Sequence, residues 1–195
     1  MSTDTELARP AIYGFIHVAT MNHWKEVTSQ ILDRIASAGL LEATTRLHLG
    51  VVGQQDAATF ATPKIVVMPL SQQLKDYEFP TLRMLWQHCQ ITDCFLYYLH
   101  TKGVSYGPNP KSDRWRNSML NLIVDRWSES VQALAQKDAC GGIYRHRRRY
   151  FAGNFWWSKS AYIRTLAEPR FVRSRLDAER WLLDRSTPES VQILR

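Results

Sequence analysis

Apolar positions follow two rhythms along this chain. Residues 11–19 (AIYGFIHVA) are almost continuously apolar between polar flanks, the pattern of a strand buried on both faces. Beyond them Trp24, Val27, Ile31, Ile35 and Ala38 recur at helical spacing, predicting a helix over residues 24–40 that Gly39 helps to stop. Residues 46–52 read as a second strand ending at Gly53, and residues 64–68 (KIVVM) as a third stopped by Pro69. A helix from Pro80 to about Cys89, with proline in its first turn, precedes a strand at residues 95–99. A long polar loop follows. Ser112 reads as the N-cap of the next helix and Asp113 suits its positive end. That helix carries Trp115, Met119, Leu122, Ile123, Trp127, Val131 and Leu134 on one stripe. The last elements expected are a strand from Cys140-Gly141-Gly142, a strand over residues 151–157, a helix over 158–166 and a short helix over 177–184.

Strand and helix alternate through the first half, which predicts crossover units and a mainly parallel sheet flanked by helices, an α/β fold. In open sheets of this kind ligands bind beyond the carboxyl ends of the strands. Those ends are residues 17–22, Gly53, residues 69–71 and residues 100–103. The 195 residues suit one domain with a sizeable core, and no linker, repeat or low-complexity segment divides them. A single domain over residues 1–195 is therefore expected.

Composition narrows the classes. Hydrophobic residues make up 45% and charged residues 22%, ordinary for a folded soluble protein. No apolar run approaches the roughly 20 residues of a membrane span, and the polar, acidic first ten residues do not read as a signal peptide. Three scattered cysteines, Cys89, Cys94 and Cys140, fit packing thiols in a reducing compartment and lack the second pair a zinc site needs. A cytoplasmic protein is expected. The net charge of +7, with a dense run at residues 145–149 (RHRRR), makes diphosphates, polyanions and anionic membrane surfaces eligible partners; a solvated basic turn explains that run equally well.

The candidate chemistry collects at the strand ends. His100-Thr101-Lys102-Gly103 puts an imidazole, a hydroxyl and an ammonium where a ligand site is expected. An ammonium there can neutralise a diphosphate directly. Arg116 can add a bidentate phosphate contact or pair with Asp113. Glu78-Phe79-Pro80-Thr81 opens a helix whose free N–H groups favour anions, or is an ordinary helix start. In residues 151–157 (FAGNFWW), strand alternation puts Ala152, Asn154 and Trp156 on one face, making Asn154 and Trp156 the candidates to hold a sugar. Glu179, in the first turn of the last helix, is a candidate base for a hydroxyl, or complements the helix dipole. There is no Gly-x-Gly-x-x-Gly, phosphate-loop or Gly-x-Ser-x-Gly motif, which argues against dinucleotide dehydrogenases, P-loop nucleotidases and α/β-hydrolases.

Several short motifs, taken in order, resemble a family of bacterial and viral glycosyltransferases. They are Asn22-His23-Trp24-Lys25-Glu26, Tyr77-Glu78-Phe79-Pro80-Thr81-Leu82, Leu99-His100-Thr101-Lys102-Gly103-Val104-Ser105, Trp115-Arg116-Asn117, Asp138-Ala139-Cys140-Gly141-Gly142, Gly153-Asn154-Phe155-Trp156-Trp157 and Ala178-Glu179-Arg180-Trp181. The resemblance spans residues 12–183. It implies a compact GT-A-like, Rossmann-like domain that takes a nucleotide-sugar donor and a glycan or lipid-linked glycan acceptor, in surface polysaccharide assembly. By the same resemblance His100-Thr101-Lys102 stands where the GT-A fold usually carries a metal-binding Asp-x-Asp. Lys102 would then stabilise the leaving diphosphate and Glu179 would be the base. His17, Thr20, Glu78, Thr81, His100, Thr101, Lys102 and Arg116 would bind donor, and Asn154 and Trp156 acceptor. No metal ligand is assigned, although manganese or magnesium remains compatible with the fold. Placement at the inner face of a membrane fits such an acceptor. A basic nucleic-acid-binding domain, and a transferase-like module without activity, are the competing expectations.

Overall fold

The computed structural model describes residues 10–170 and 174–194. The reading of the first residues as no signal peptide concerns residues 1–9, outside the described set. In chain order the elements are β1 (Ile12–Ala19), α1 (Trp24–Ser37), α2 (Leu40–Ala43), β2 (Thr44–Val52), β3 (Ile65–Ser71), α3 (Phe79–Ile91), β4 (Phe95–His100), α4 (Pro110–Leu120), α5 (Trp127–Leu134), β5 (Ala139–Gly141), β6 (Tyr144–Arg145), β7 (Tyr150–Phe151), β8 (Trp156–Lys159), α6 (Ser160–Ile163), α7 (Leu176–Trp181) and β9 (Val191–Ile193).

Seven strands form one sheet in the order β3-β2-β1-β4-β8-β5-β9. The β3-β2-β1-β4 portion is parallel, while β8 runs antiparallel to both β4 and β5. The fold is mixed α/β with a mainly parallel central sheet, as the alternating pattern predicts. Strands β2 and β3 lie on one side of β1, and β4 lies on the other. The chain reverses its direction of winding between β1 and β4, and a crevice opens at such a switch point.

Two apolar clusters cover the two faces of the sheet. One holds Ile16, Trp24, Ile31, Leu49, Tyr97, Met119 and Trp157. The other holds Phe15, Leu82, Leu85, Tyr98, Trp156 and Leu182. The neighbours Phe15 and Ile16, Tyr97 and Tyr98, and Trp156 and Trp157 therefore face opposite ways, as the two-residue period of a strand requires. The continuous apolar run in β1 and β4 is explained by this double burial. The three cysteines are buried free thiols.

The β6–β7 hairpin and β9 are not among the expected elements, the helix expected over residues 158–166 is confined to Ser160–Ile163, and four further elements differ from their sequence expectation. β3 does not stop at Pro69 but continues to Ser71. It is an edge strand, where a missing N–H need not break a ladder. α4 starts at Pro110 rather than at Ser112, and its cap is Asn109, whose side chain accepts from the Lys111 amide at 2.9 Å. The long stripe from Trp115 to Leu134 belongs to two helices joined by a wide π turn at Asn121–Asp125. Finally, residues 151–157 do not form one strand. Gly153 (φ 92°) and Asn154 (φ 53°) occupy the left-handed region and turn the chain between β7 and β8. A Cβ on Gly153 would also lie 2.2 Å from Met119 Sδ, so backbone conformation and close packing both select glycine.

Candidate functional site

β1 and β4 bring His17 and His100 side by side in register at their carboxyl ends. A pocket of about 570 Å³ opens there. His17, Glu78, His100, Thr101, Lys102 and Glu179 line it, from β1, the start of α3, β4 with its following loop, and α7. Four segments widely separated in sequence thus meet at one place.

Glu78 is the electrostatic centre of the floor. Its Oε2 accepts from the Tyr98 hydroxyl at 2.7 Å and from the Asn154 amide at 2.7 Å. Burial works to raise its pKa, but His100, His17 and these two donors outweigh it and hold Glu78 below the usual carboxylate range. Burial, reinforced by the Glu78 charge, pushes Tyr98 well up, so its phenol stays protonated and donating. The Asn154 amide is fixed at its other end, where Oδ1 accepts from the Trp156 indole at 2.8 Å. The left-handed backbone at Asn154 allows this reach, and asparagine tolerates that conformation better than most residues.

Both imidazoles are held neutral. Burial pushes His17 down to about 4, with the Glu78 charge opposing and His100 assisting. Its Nδ1 lies 3.0 Å from the Thr81 hydroxyl, which donates to the Gly50 carbonyl at 3.3 Å. The pattern that satisfies both contacts puts the ring proton on Nδ1. His100 is likewise lowered, first by burial and then by Lys102, against Glu78 and the Gly153 carbonyl. Its Nε2 donates to that carbonyl at 2.8 Å, leaving Nδ1 the basic nitrogen.

Lys102 lines the same pocket, its Nζ 4.5 Å from the centre of the Trp115 ring. The sharp turn after it uses Gly103 at φ 98°. Thr101 is buried and spends its hydroxyl on the Ala19 amide at 3.1 Å, tying the β4 loop to the end of β1.

Five side chains expected to touch a substrate do not line the pocket. Thr81 is fully buried between His17 and the Gly50 carbonyl. Arg116 is buried behind the loop and not on the pocket wall; it donates to the Lys102 carbonyl at 2.8 Å, Gln30 at 3.0 Å and Asp113 at 2.9 Å. It braces the loop that carries Lys102. Asn154 and Trp156 are each 1% exposed, and their polar atoms are spent on Glu78 and on each other. They support the floor instead of facing a sugar, because the turn at Gly153 removes the simple strand alternation. Thr20 is also buried, packed against Gly53. Conversely, Lys75, Tyr77, Tyr106, Trp115 and Arg175 line the pocket without having been singled out for it. Trp115 was legible as a stripe residue and as part of a short motif but not as a pocket wall, and single cations in polar stretches carry no sequence signal.

Among the described residues no three His, Cys, Asp or Glu side chains converge to hold a metal ion. Glu78 Oε2 already accepts from Tyr98, and His100 Nε2 already donates to the Gly153 carbonyl.

A family profile described as Domain of unknown function (DUF8361) matches residues 16–192. The chain belongs to that family. A search of curated proteins finds no match. Among solved structures, this DUF8361 member resembles 4-diphosphocytidyl-2C-methyl-D-erythritol synthase from Anaerococcus prevotii, with TM-score 0.53 and 9% identity over 95% of this chain and 86% of that one. It also resembles glucosyl-3-phosphoglycerate synthase from Mycobacterium tuberculosis, solved with Mn2+, uridine diphosphate and phosphoglyceric acid, with TM-score 0.51 and 12% identity over 94% and 68%. At these identities the likeness concerns the fold, which is of the GT-A and nucleotidyltransferase kind.

Proposed function

We propose that this DUF8361 protein transfers a sugar from a nucleotide-diphosphate donor to a hydroxyl of a glycan or lipid-linked glycan, as one domain, in surface polysaccharide assembly. The observation that carries the reading is the pocket at the β1–β4 switch point, where Lys102 and Arg175 share one cavity with the carboxylate of Glu179. The fold likeness supports the same class, since one neighbour was solved with uridine diphosphate. Lys102 is placed to compensate the charge that grows on a departing diphosphate, with Arg175 and Lys75 adding to the field. His17 and His100, held neutral with their ring protons spent on Thr81 and the Gly153 carbonyl, are left with acceptor nitrogens suited to donor hydroxyls and do not repel these cations. Glu179 takes the acceptor's proton. One neighbour was solved with Mn2+, so a divalent metal accompanying the diphosphate is compatible with this reading, beside Lys102.

Direct assay of transfer and of donor hydrolysis, with a panel of nucleotide sugars, tests the reading. Glu179→Gln should lower turnover by roughly 100- to 10,000-fold, the usual worth of a positioned base. Undiminished turnover removes Glu179 from that role.

A further inference from the structure

Lys102 and Trp115 carry an inference that rests on the donor reading and extends it to the second substrate. Leu74, Tyr77, Tyr106 and Trp115 are among the exposed large apolar side chains, and all four line the same pocket. Tyr106 is 70% exposed and Trp115 38%. Exposed rings gathered at a polar cavity provide flat apolar faces with polar edges, suited to the C–H faces of a sugar. Glu179 lines that cavity too.

The Trp115 face is, however, covered. The Lys102 ammonium lies 4.5 Å from the ring centre, a cation–π contact. The backbone beneath it is tied, because Arg116, next to Trp115, donates to the Lys102 carbonyl at 2.8 Å. The mobile part is the four-carbon stem of the lysine.

We propose that Lys102 gates an acceptor-sugar platform on Trp115: the ammonium covers the indole while the pocket lacks donor and leaves it when a diphosphate enters. A ring attracts a cation through its quadrupole alone, whereas a diphosphate attracts it through net charge, so the diphosphate wins the competition. The same movement that neutralises the donor exposes the acceptor platform. Binding is therefore ordered, donor first, and the acceptor class is a saccharide that stacks on an indole.

The full chain labelled with 5-fluorotryptophan tests this by fluorine NMR. The sequence has seven tryptophans, and the Trp115 resonance is identified by its loss in Trp115→Phe. Titration uses uridine, guanosine, adenosine, cytidine and thymidine diphosphates, then gluco-, galacto- and manno-trisaccharides, with melting curves reporting binding independently. A diphosphate should move the Trp115 resonance toward its position in ligand-free Lys102→Ala, a variant whose side chain is too short to cover the ring. The best trisaccharide should then bind about five- to tenfold more tightly than without diphosphate. That gain should be absent in Lys102→Ala, which binds the saccharide in the tight mode from the start. A diphosphate that binds but leaves the Trp115 resonance in place overturns the gate and leaves the donor reading standing. Saccharides that never perturb Trp115 overturn the platform. If no diphosphate binds, the donor reading falls and the gate falls with it.

Discussion

Glu78 shows how much a single buried carboxylate organises. Tyr98 from β4 and Asn154 from the turn before β8 both donate to its Oε2, and the two pocket histidines face it. The arrangement has a pH signature. His17 titrates at about 4 in the fold against 6.5 when unfolded. Between those values the unfolded chain binds a proton that the native state refuses, so its contribution is complete above pH 6.5 and declines as pH falls toward 4. A shift of that size on a fully buried ring corresponds to about 3 kcal/mol, at about 1.4 kcal/mol per unit. His100 and His48, both lowered by burial, act in the same direction. Glu78, also lowered, adds a loss only below the ordinary carboxylate range. Urea denaturation at pH 7.5 and 4.5 should therefore show a markedly lower stability at the acid value; equal stabilities would contradict neutral burial of His17.

At the scale of elements, the loop from Gly103 to Asn109 is held at both ends. Arg116 grips the Lys102 carbonyl, and Asn109 caps α4 by accepting from the Lys111 amide. Asn109→Ala should cost about 1 kcal/mol in chemical denaturation, the usual worth of an N-cap, whereas Ser112→Ala should cost little; the reverse order would restore Ser112 as the cap. Ser112 alone reads as the cap in the sequence; Pro110, which suits the first helical position, moves the cap to Asn109. Other misreadings have equally local causes. Pro69 looks like a strand stop unless the strand is known to lie at an edge, which is a property of the whole sheet. Residues 151–157 look like one strand because aromatic density outweighs a Gly-Asn pair, yet that pair supplies two successive left-handed residues. With the turn recognised, Asn154 and Trp156 become floor supports.

For the whole molecule, the sequence was most informative where periodicity is strong. β1, α1, β2, α3 and β4 were legible within a few residues, and the parallel sheet followed from their alternation. The pocket was legible in outline, since His17, Glu78, His100, Lys102 and Glu179 meet in it. Arg175, Tyr106 and Lys75 were not, because their part depends on where loops come to rest. The net charge of +7 fits an anionic ligand without identifying one. The exposed arginines at residues 145–149 lie on the β6–β7 hairpin and do not line the pocket.

Everything proposed rests on a diphosphate binding at the ends of β1 and β4, and thermal melting with the five common nucleoside diphosphates measures that directly. At 100 times the dissociation constant, a ligand specific for the folded state adds about 2.7 kcal/mol. For a chain of this size that corresponds to roughly 5–10 °C in Tm. At least one diphosphate should give such a rise, and Lys102→Ala should abolish most of it at the same concentration. No rise with any diphosphate, or a rise that Lys102→Ala leaves intact, would contradict the assignment of this pocket.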